Sequence, residues 1–507
     1  MWRYFYTGLI ICFTWLNPDA SAADTLIRQA TVIDGSGARG YVADVRIAGD
    51  RIVDIRSQLD PAPDDILIDA GNLVLSPGFI DTHSHHDYGA AQHPQMLAAV
   101  SQGITTIVVG VDGGSAVPLG DYFAQLERAP VAVNVASYSG HNTLRAKVMG
   151  DDFRRPANSA ELAEMRRLLA ADLESGALGL STGLEYDPGI YSQTSEVIVL
   201  ARLAGEWGGR YDSHLRSEDR FFWEALEELL IIGEAAEIPV HIAHIKLAAK
   251  SLWGRAIAVR QQLTAARARG IDVTADIYPY EYWASTMSVL LPERDFTDRR
   301  AIEFALAELA PPETIYLVNY LPEPVLEGMT LTQIAAAADE DPVTTYSRLL
   351  ITAEAYKTAN PDASQVETIV ASSMTEGDIA SLMNWEFTNI CSDGSHDGHP
   401  RGWGAYPRVL GRYVRDLEYL ELPRAVRKMT ALAADNVGLL DRGTLAIGAL
   451  ADLVLFDPLT VADNATIADA TRKADGIVAV WVNGSLVYEH SEATGALPGR
   501  VLRRADL

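Results

Sequence analysis

The chain has 507 residues, with 41 basic and 68 acidic side chains and a formal charge of −27. That balance excludes nucleic acid as the natural partner, because phosphate binding needs clustered Lys and Arg. At 48% apolar and 21% charged residues, the composition is that of an ordinary globular protein and excludes wholesale disorder.

Residues 1–23 read as a secretory signal. Arg3 supplies a positive charge, Tyr4 to Leu16 is an apolar run, and Ala20-Ser21-Ala22 fits the small-x-small cleavage pattern. Cleavage after residue 22 or 23 predicts an exported protein, periplasmic or secreted. The run falls short of the ~20 apolar residues that span a bilayer. Cys12 leaves with the signal, so Cys391 remains alone and packing, not a disulfide, has to hold the fold.

Residues 24–75 alternate β-type runs with turns, as in TLIRQATVIDG and ADVRIAGDRIVDI, and 440–507 has the same character in GALADLVLFDP and IVAVWVNGSLVYE. Between them, over 76–439, strand-like and helix-like segments alternate, the pattern of a parallel sheet with crossover helices. Eight strand candidates end near His83, Gly110, Tyr138, Thr182, His214, His244, Tyr278 and Asp393. The long gap before the last holds helix-like runs such as RRAIEFALAELA, so about 290–385 is predicted to be an inserted, lid-like subdomain. Eight βα units point to an α/β (β/α)8 barrel, with chemistry at the C-terminal strand ends. With no coiled-coil heptads, basic patch or amphipathic membrane helix in the sequence, the expected partner is a small molecule, and monomer and homodimer stay open.

The strongest local signal is Phe79 to Asp87, FIDTHSHHD. Strand side chains alternate faces, which puts Asp81, His83, His85 and Asp87 on one side and His86 on the other. Two histidines at i and i+2 reach one cation, and neutral imidazole suits zinc. The same parity groups Asp212, His214 and Arg216; His244 with Lys246, leaving His241 opposite; Asp276, Tyr278 and Tyr280; and Cys391 with Asp393. Singly each has a bland reading as a core or capping residue. Four histidines and an aspartate at the ends of four strands are hard to explain as core.

PGFIDTHSHHD, GHNTLR, GALGLSTGLEYDPG, HLRSE, HIAHIK, DIYPY, CSDG, HPRGWGAYPRVLGRYVR and GTLAIGALADLVLFDP together resemble the amidohydrolase superfamily, and within it the D-aminoacylase group of N-acyl-D-amino-acid deacylases. The resemblance runs colinearly from about 25 to 490. It implies a TIM barrel with a small β-sandwich built from both termini, and one or two Zn2+ ions. His83, His85, His214 and His244 would be metal ligands, Asp393 both ligand and catalytic carboxylate, and Lys246, Tyr278 and Arg401 the holders of the substrate's α-carboxylate. Arg suits that task through its bidentate fork. Asp87 and His141 are expected to orient ligands or substrate.

The chain departs from the group at one place. Where D-aminoacylases usually carry Gly-Asn-Cys-Gly, this sequence has Gly110-Val111-Asp112-Gly113. Asp112 therefore stands as the acidic metal ligand, ahead of Glu185 at the end of strand four, and Cys391 is read as packing. The expected chemistry is metal-assisted hydrolysis of a linear amide with Asp393 as general base and then acid. A D-amino-acid dipeptidase, a cyclic-amide or lactone hydrolase, and a non-catalytic metal-binding barrel are the alternatives.

Overall fold

The computed structural model describes residues 23–504 except 364 and 440. The proposed secretory signal lies outside the described residues, apart from Ala23.

Eight parallel strands form the barrel: Phe79–Asp81, Ile104–Val109, Asn134–Ser137, Gly179–Gly183, Arg210–His214, Val240–Ile242, Val273–Ile277 and Thr388–Ile390. Each ends within a few residues of the position expected from sequence. The second, ITTIVV, is buried at every residue, as a strand covered by helices on one side and barrel interior on the other must be. The third runs on into Ser139–Gly140, which pairs with the fourth. The eighth returns to the first beyond its regular end. Ser84 bridges Gly394, Asp393 N donates to His83 O at 2.9 Å, and His85 N donates to Gly394 O at 2.8 Å. The seam that closes the barrel thus carries two of the candidate histidines and the candidate catalytic aspartate.

Crossover helices cover the outside. Phe222–Ala236 buries Phe222, Leu226, Leu229, Leu230 and Gly233, a stripe at helical spacing. Ser159–Glu174 opens on a capping box between Asn158 and Glu161.

The terminal segments form one nine-stranded sheet in which Val74–Pro77 pairs antiparallel with Leu453–Phe456. It folds over on itself. Ile52, near one end of the strand path, donates its N–H to Ala449 O at 3.0 Å and shares a core with Leu453, Ala479 and Trp481. Between strands seven and eight of the barrel, Tyr282–Ser285, Tyr316–Tyr320 and Glu367–Ser372 make a small antiparallel sheet with Glu367–Ser372 in the middle. The helices Leu331–Ala338 and Pro342–Ala359 follow Tyr316–Tyr320 in that insertion. Among the described residues no helix is long and apolar enough to cross a membrane.

Candidate active site

The candidate residues meet at the C-terminal mouth of the barrel. Regular strand one stops at Asp81, and the chain turns through His83 and His85 toward the axis. After strand two, Gly110, Asp112 and Gly113 take φ of 71°, 52° and 73°. Glycine is required on both sides, because a Cβ at Gly110 would meet Tyr138 O and one at Gly113 would meet the Asn142 amide. Asp112, His244 (φ 34°) and Asp393 (φ 49°) all occupy the left-handed region without being glycine. Such strain gathers where surrounding structure fixes a functional side chain.

Asp112 is the hub. Its Oδ1 lies 3.1 Å from His244 Nε2, 3.4 Å from His83 Nε2 and 3.6 Å from His214 Nδ1, while Oδ2 lies 3.4 Å from His85 Nε2. Asp393 Oδ1 is 3.3 Å from His85 Nε2 and 3.7 Å from His83 Nε2, and its Oδ2 receives Arg401 at 2.7 Å. Donor atoms of His83, Asp112, His244 and Asp393 all fall within 4.8 Å of one another.

This donor set fits a divalent cation. His83 is fully buried, yet neither ring nitrogen has a hydrogen-bond partner, a condition buried polar groups rarely tolerate. Imidazole nitrogen and carboxylate oxygen are the ordinary ligands of zinc. The electrostatics agree. Burial alone would raise Asp393 and Asp112, but Arg401 and His244 hold the first, and His83 and His244 the second, well below the usual carboxylate range. Burial would lower His85 and His244, yet facing carboxylates push both up to about 10. The facing carboxylates thus favour positive charge at this spot, which is what a divalent cation would supply.

A second cluster adjoins the first. Lys246 Nζ lies 2.7 Å from both Glu218 oxygens and 2.6 Å from His244 Nδ1, and Glu218 Oε1 lies 3.1 Å from that same nitrogen. His214 Nε2 is 3.0 Å from Glu185 Oε2, and burial pushes His214 down to about 4. Burial and the neighbouring Asp219 and Glu218 carboxylates push Glu185 well up. The Arg401 guanidinium stacks 4.7 Å from the Tyr278 ring centre, and the Tyr278 hydroxyl is buried without a partner.

His83, His85, Asp112, His214, His244, Lys246, Tyr278, Asp393 and Arg401 are therefore brought together, with Glu185 beside them. His141 is not. Its Nε2 lies 2.9 Å from Glu196 Oε1, which also takes Arg145, and it lies outside the cavity lining. The parity groupings fail at four further positions. Asp81 accepts from Ser392 Oγ at 2.5 Å, Arg216 pairs with Glu228 at 2.8 Å, and Tyr280 donates to Asp463 at 3.3 Å. Asp87 is half-buried and lines a separate depression beside Tyr122. Cys391 packs in the core. Glu218 was overlooked from sequence; its signal was its place four residues after His214, inside HLRSE.

The site opens into a cavity of about 280 Å3. The sequence profile described as the amidohydrolase family matches residues 67–488. The chain belongs to that family. Within the amidohydrolases it falls in the D-aminoacylase group. It is 38% identical to the N-acyl-D-glutamate deacylase of Alcaligenes xylosoxydans xylosoxydans over 95% of this chain and 96% of that protein. It is 36% identical to the D-aminoacylase of the same organism, over 96% and 99%. The crystal structure of N-acyl-D-glutamate deacylase from Bordetella bronchiseptica, complexed with zinc and a phosphonate that mimics the tetrahedral intermediate, superimposes with a TM-score of 0.83 at 35% identity, covering 95% of this chain and 99% of that one.

Proposed function

We propose that this amidohydrolase removes the acyl group from N-acyl-D-amino acids, with His83, His85, Asp112, His214, His244 and Asp393 holding one or two zinc ions. The observation that carries the reading is the position of Asp393, with one oxygen toward His85 and His83 and the other on Arg401. The deacylase relatives and the zinc in the Bordetella enzyme support it. A bound divalent cation in this donor set lowers the pKa of water and polarises the scissile carbonyl.

The protein's own residues supply the rest. Asp393, held ionised, takes the proton of the attacking water as the C–O bond forms, and delivers it to nitrogen as the C–N bond breaks. The products are a carboxylate and a free D-amino acid. Arg401, with the unpartnered Tyr278 hydroxyl beneath it, receives the α-carboxylate. Lys246, held by both Glu218 oxygens, steadies His244 beside the same subsite. D-selectivity then follows from where these groups place the α-carbon relative to Asp393. The test is hydrolysis of paired N-acetyl-D- and N-acetyl-L-amino acids by zinc-loaded protein. D-selective release, abolished by chelation and by Asp393→Asn, is expected, and release from neither enantiomer at full metal occupancy would sink the proposal.

The signal-like N-terminal sequence supports a further proposal, that the reaction takes place outside the cytoplasm. Recovery of uncleaved chain only from the cytosolic fraction would count against it.

A further inference from the structure

The deacylase reading leaves the substrate's side chain open, and any assignment of that side chain rests on it. One wall of the cavity carries no charge: Trp283, Val289 and Leu290 come from the segment after strand seven. Trp283 donates its indole N–H to Ser373 Oγ at 2.6 Å, so its polar edge is satisfied and the ring is left as apolar surface. The segment is pinned within its length and at its far end. Met287 N donates to Glu367 Oε2 at 2.8 Å, and Leu290 O accepts from Arg220 at 2.8 Å.

Charge in the rest of the cavity is one-sided. Among the described residues, and apart from the candidate ligand histidines, its lining offers two basic side chains, Lys246 and Arg401, against Asp112, Glu185, Glu218, Asp219 and Asp393. Lys246 is paired with Glu218 and Arg401 with Asp393, each at 2.7 Å. A second cavity of about 520 Å3, which shares His85, Asp393 and Arg401 with the first, brings no further Lys or Arg. Arg294 and Arg220 lie outside both linings: Arg294 is held by Asp187 at 3.0 Å, and Arg220 donates to Leu290 O and lies 3.4 Å from Asp219, with its buried Nε making no hydrogen bond. Once Arg401 receives the α-carboxylate, the lining leaves a second carboxylate only Lys246, already taken by both Glu218 oxygens and by His244 Nδ1, and buried charge without a partner is strongly disfavoured.

We infer that the enzyme selects N-acyl-D-amino acids with apolar side chains, lodged against Trp283, Val289 and Leu290, and rejects those with charged ones. Zinc-loaded full-length protein is assayed on the N-acetyl derivatives of D-leucine, D-methionine, D-glutamate, D-aspartate and D-lysine. D-leucine and D-methionine are expected to exceed every charged substrate by at least about tenfold in kcat/KM, the scale on which a pocket without a partner discriminates. A smaller gap overturns the inference. Leu290→Arg is expected to raise the D-glutamate-to-D-leucine ratio by at least about tenfold. Should that variant not fold, Leu290→Ala is expected to weaken the preference for D-leucine over D-alanine about fivefold or more. An unchanged ratio in either folded variant overturns the assignment of this wall. Activity confined to charged substrates removes the side-chain inference alone, whereas no activity on any D-substrate removes the deacylase reading with it.

Discussion

Asp112 Oδ1 lies 3.1 Å from His244 Nε2, and both residues are held at positive φ, 52° and 34°. The two strand ends that carry them are bent inward to bring one carboxylate oxygen against three imidazoles. Asp112→Asn keeps the shape and tolerates the left-handed backbone but removes the charge those imidazoles face. Zinc affinity is expected to fall by at least about 10-fold to 100-fold, the scale seen even for outer-shell changes, and kcat/KM to fall with it. Metal titration by calorimetry checks this, and wild-type affinity in the variant would remove Asp112 from the ligand set.

Glu218 and Lys246 form an ion pair whose side chains are 9% and 5% exposed. Removing one partner from a buried pair typically destabilises by about 3–5 kcal/mol, because the other charge is stranded. Glu218→Gln is therefore expected to lower the unfolding midpoint sharply, and adding Lys246→Met to recover much of the loss. Equal midpoints for the single and double variants would show that the charge pairing is not the cause.

How much of this was legible depends on range along the chain. His83 and His85 declare themselves two residues apart, and the barrel was readable because eight apolar runs recur between helical stretches. Strict alternation misplaced Asp81, Asp87 and Tyr280 for a local reason: regular strand one ends at Asp81 and strand seven at Ile277, and past those points the chain turns. Positive φ at Asp112, His244 and Asp393 likewise leaves no mark in hydrophobic period. Pairings across long separations were out of reach. Spacing says nothing of Asp112 meeting His244 132 residues on, or of His141 being taken by Glu196 55 residues on.

Removing the metal is expected to abolish activity without unfolding the chain. The proposed ligands sit at the barrel mouth, while the main core is built from residues such as Phe79, Ile107, Leu226 and Val259 and does not depend on a cation. Chelated protein should keep its far-UV circular dichroism and lose only the linkage term, about 4 kcal/mol where free metal had stood at 1,000 times Kd. Zinc should restore turnover. Loss of secondary structure on chelation would make the metal structural.

Glu367, on the central strand of the small inserted sheet, is 1% exposed. Its Oε2 accepts from Met287 N at 2.8 Å, but Oε1 has no hydrogen-bond partner and lies 3.5 Å from Lys357. Burial pushes its pKa from 4.5 up to about 7, outweighing Lys357. The folded state thus binds a proton more tightly than the unfolded chain between pH 4.5 and 7. The stability this carboxyl contributes is complete below that window and is lost as pH rises through it. At about 1.4 kcal/mol per pKa unit, the loss approaches roughly 3 kcal/mol by pH 8. Glu367→Gln mimics the protonated form at every pH. The variant is expected to match wild type at pH 5 and to exceed its thermal midpoint at pH 8. A midpoint difference that stays constant between those pH values would show that Glu367 keeps its charge in the folded protein.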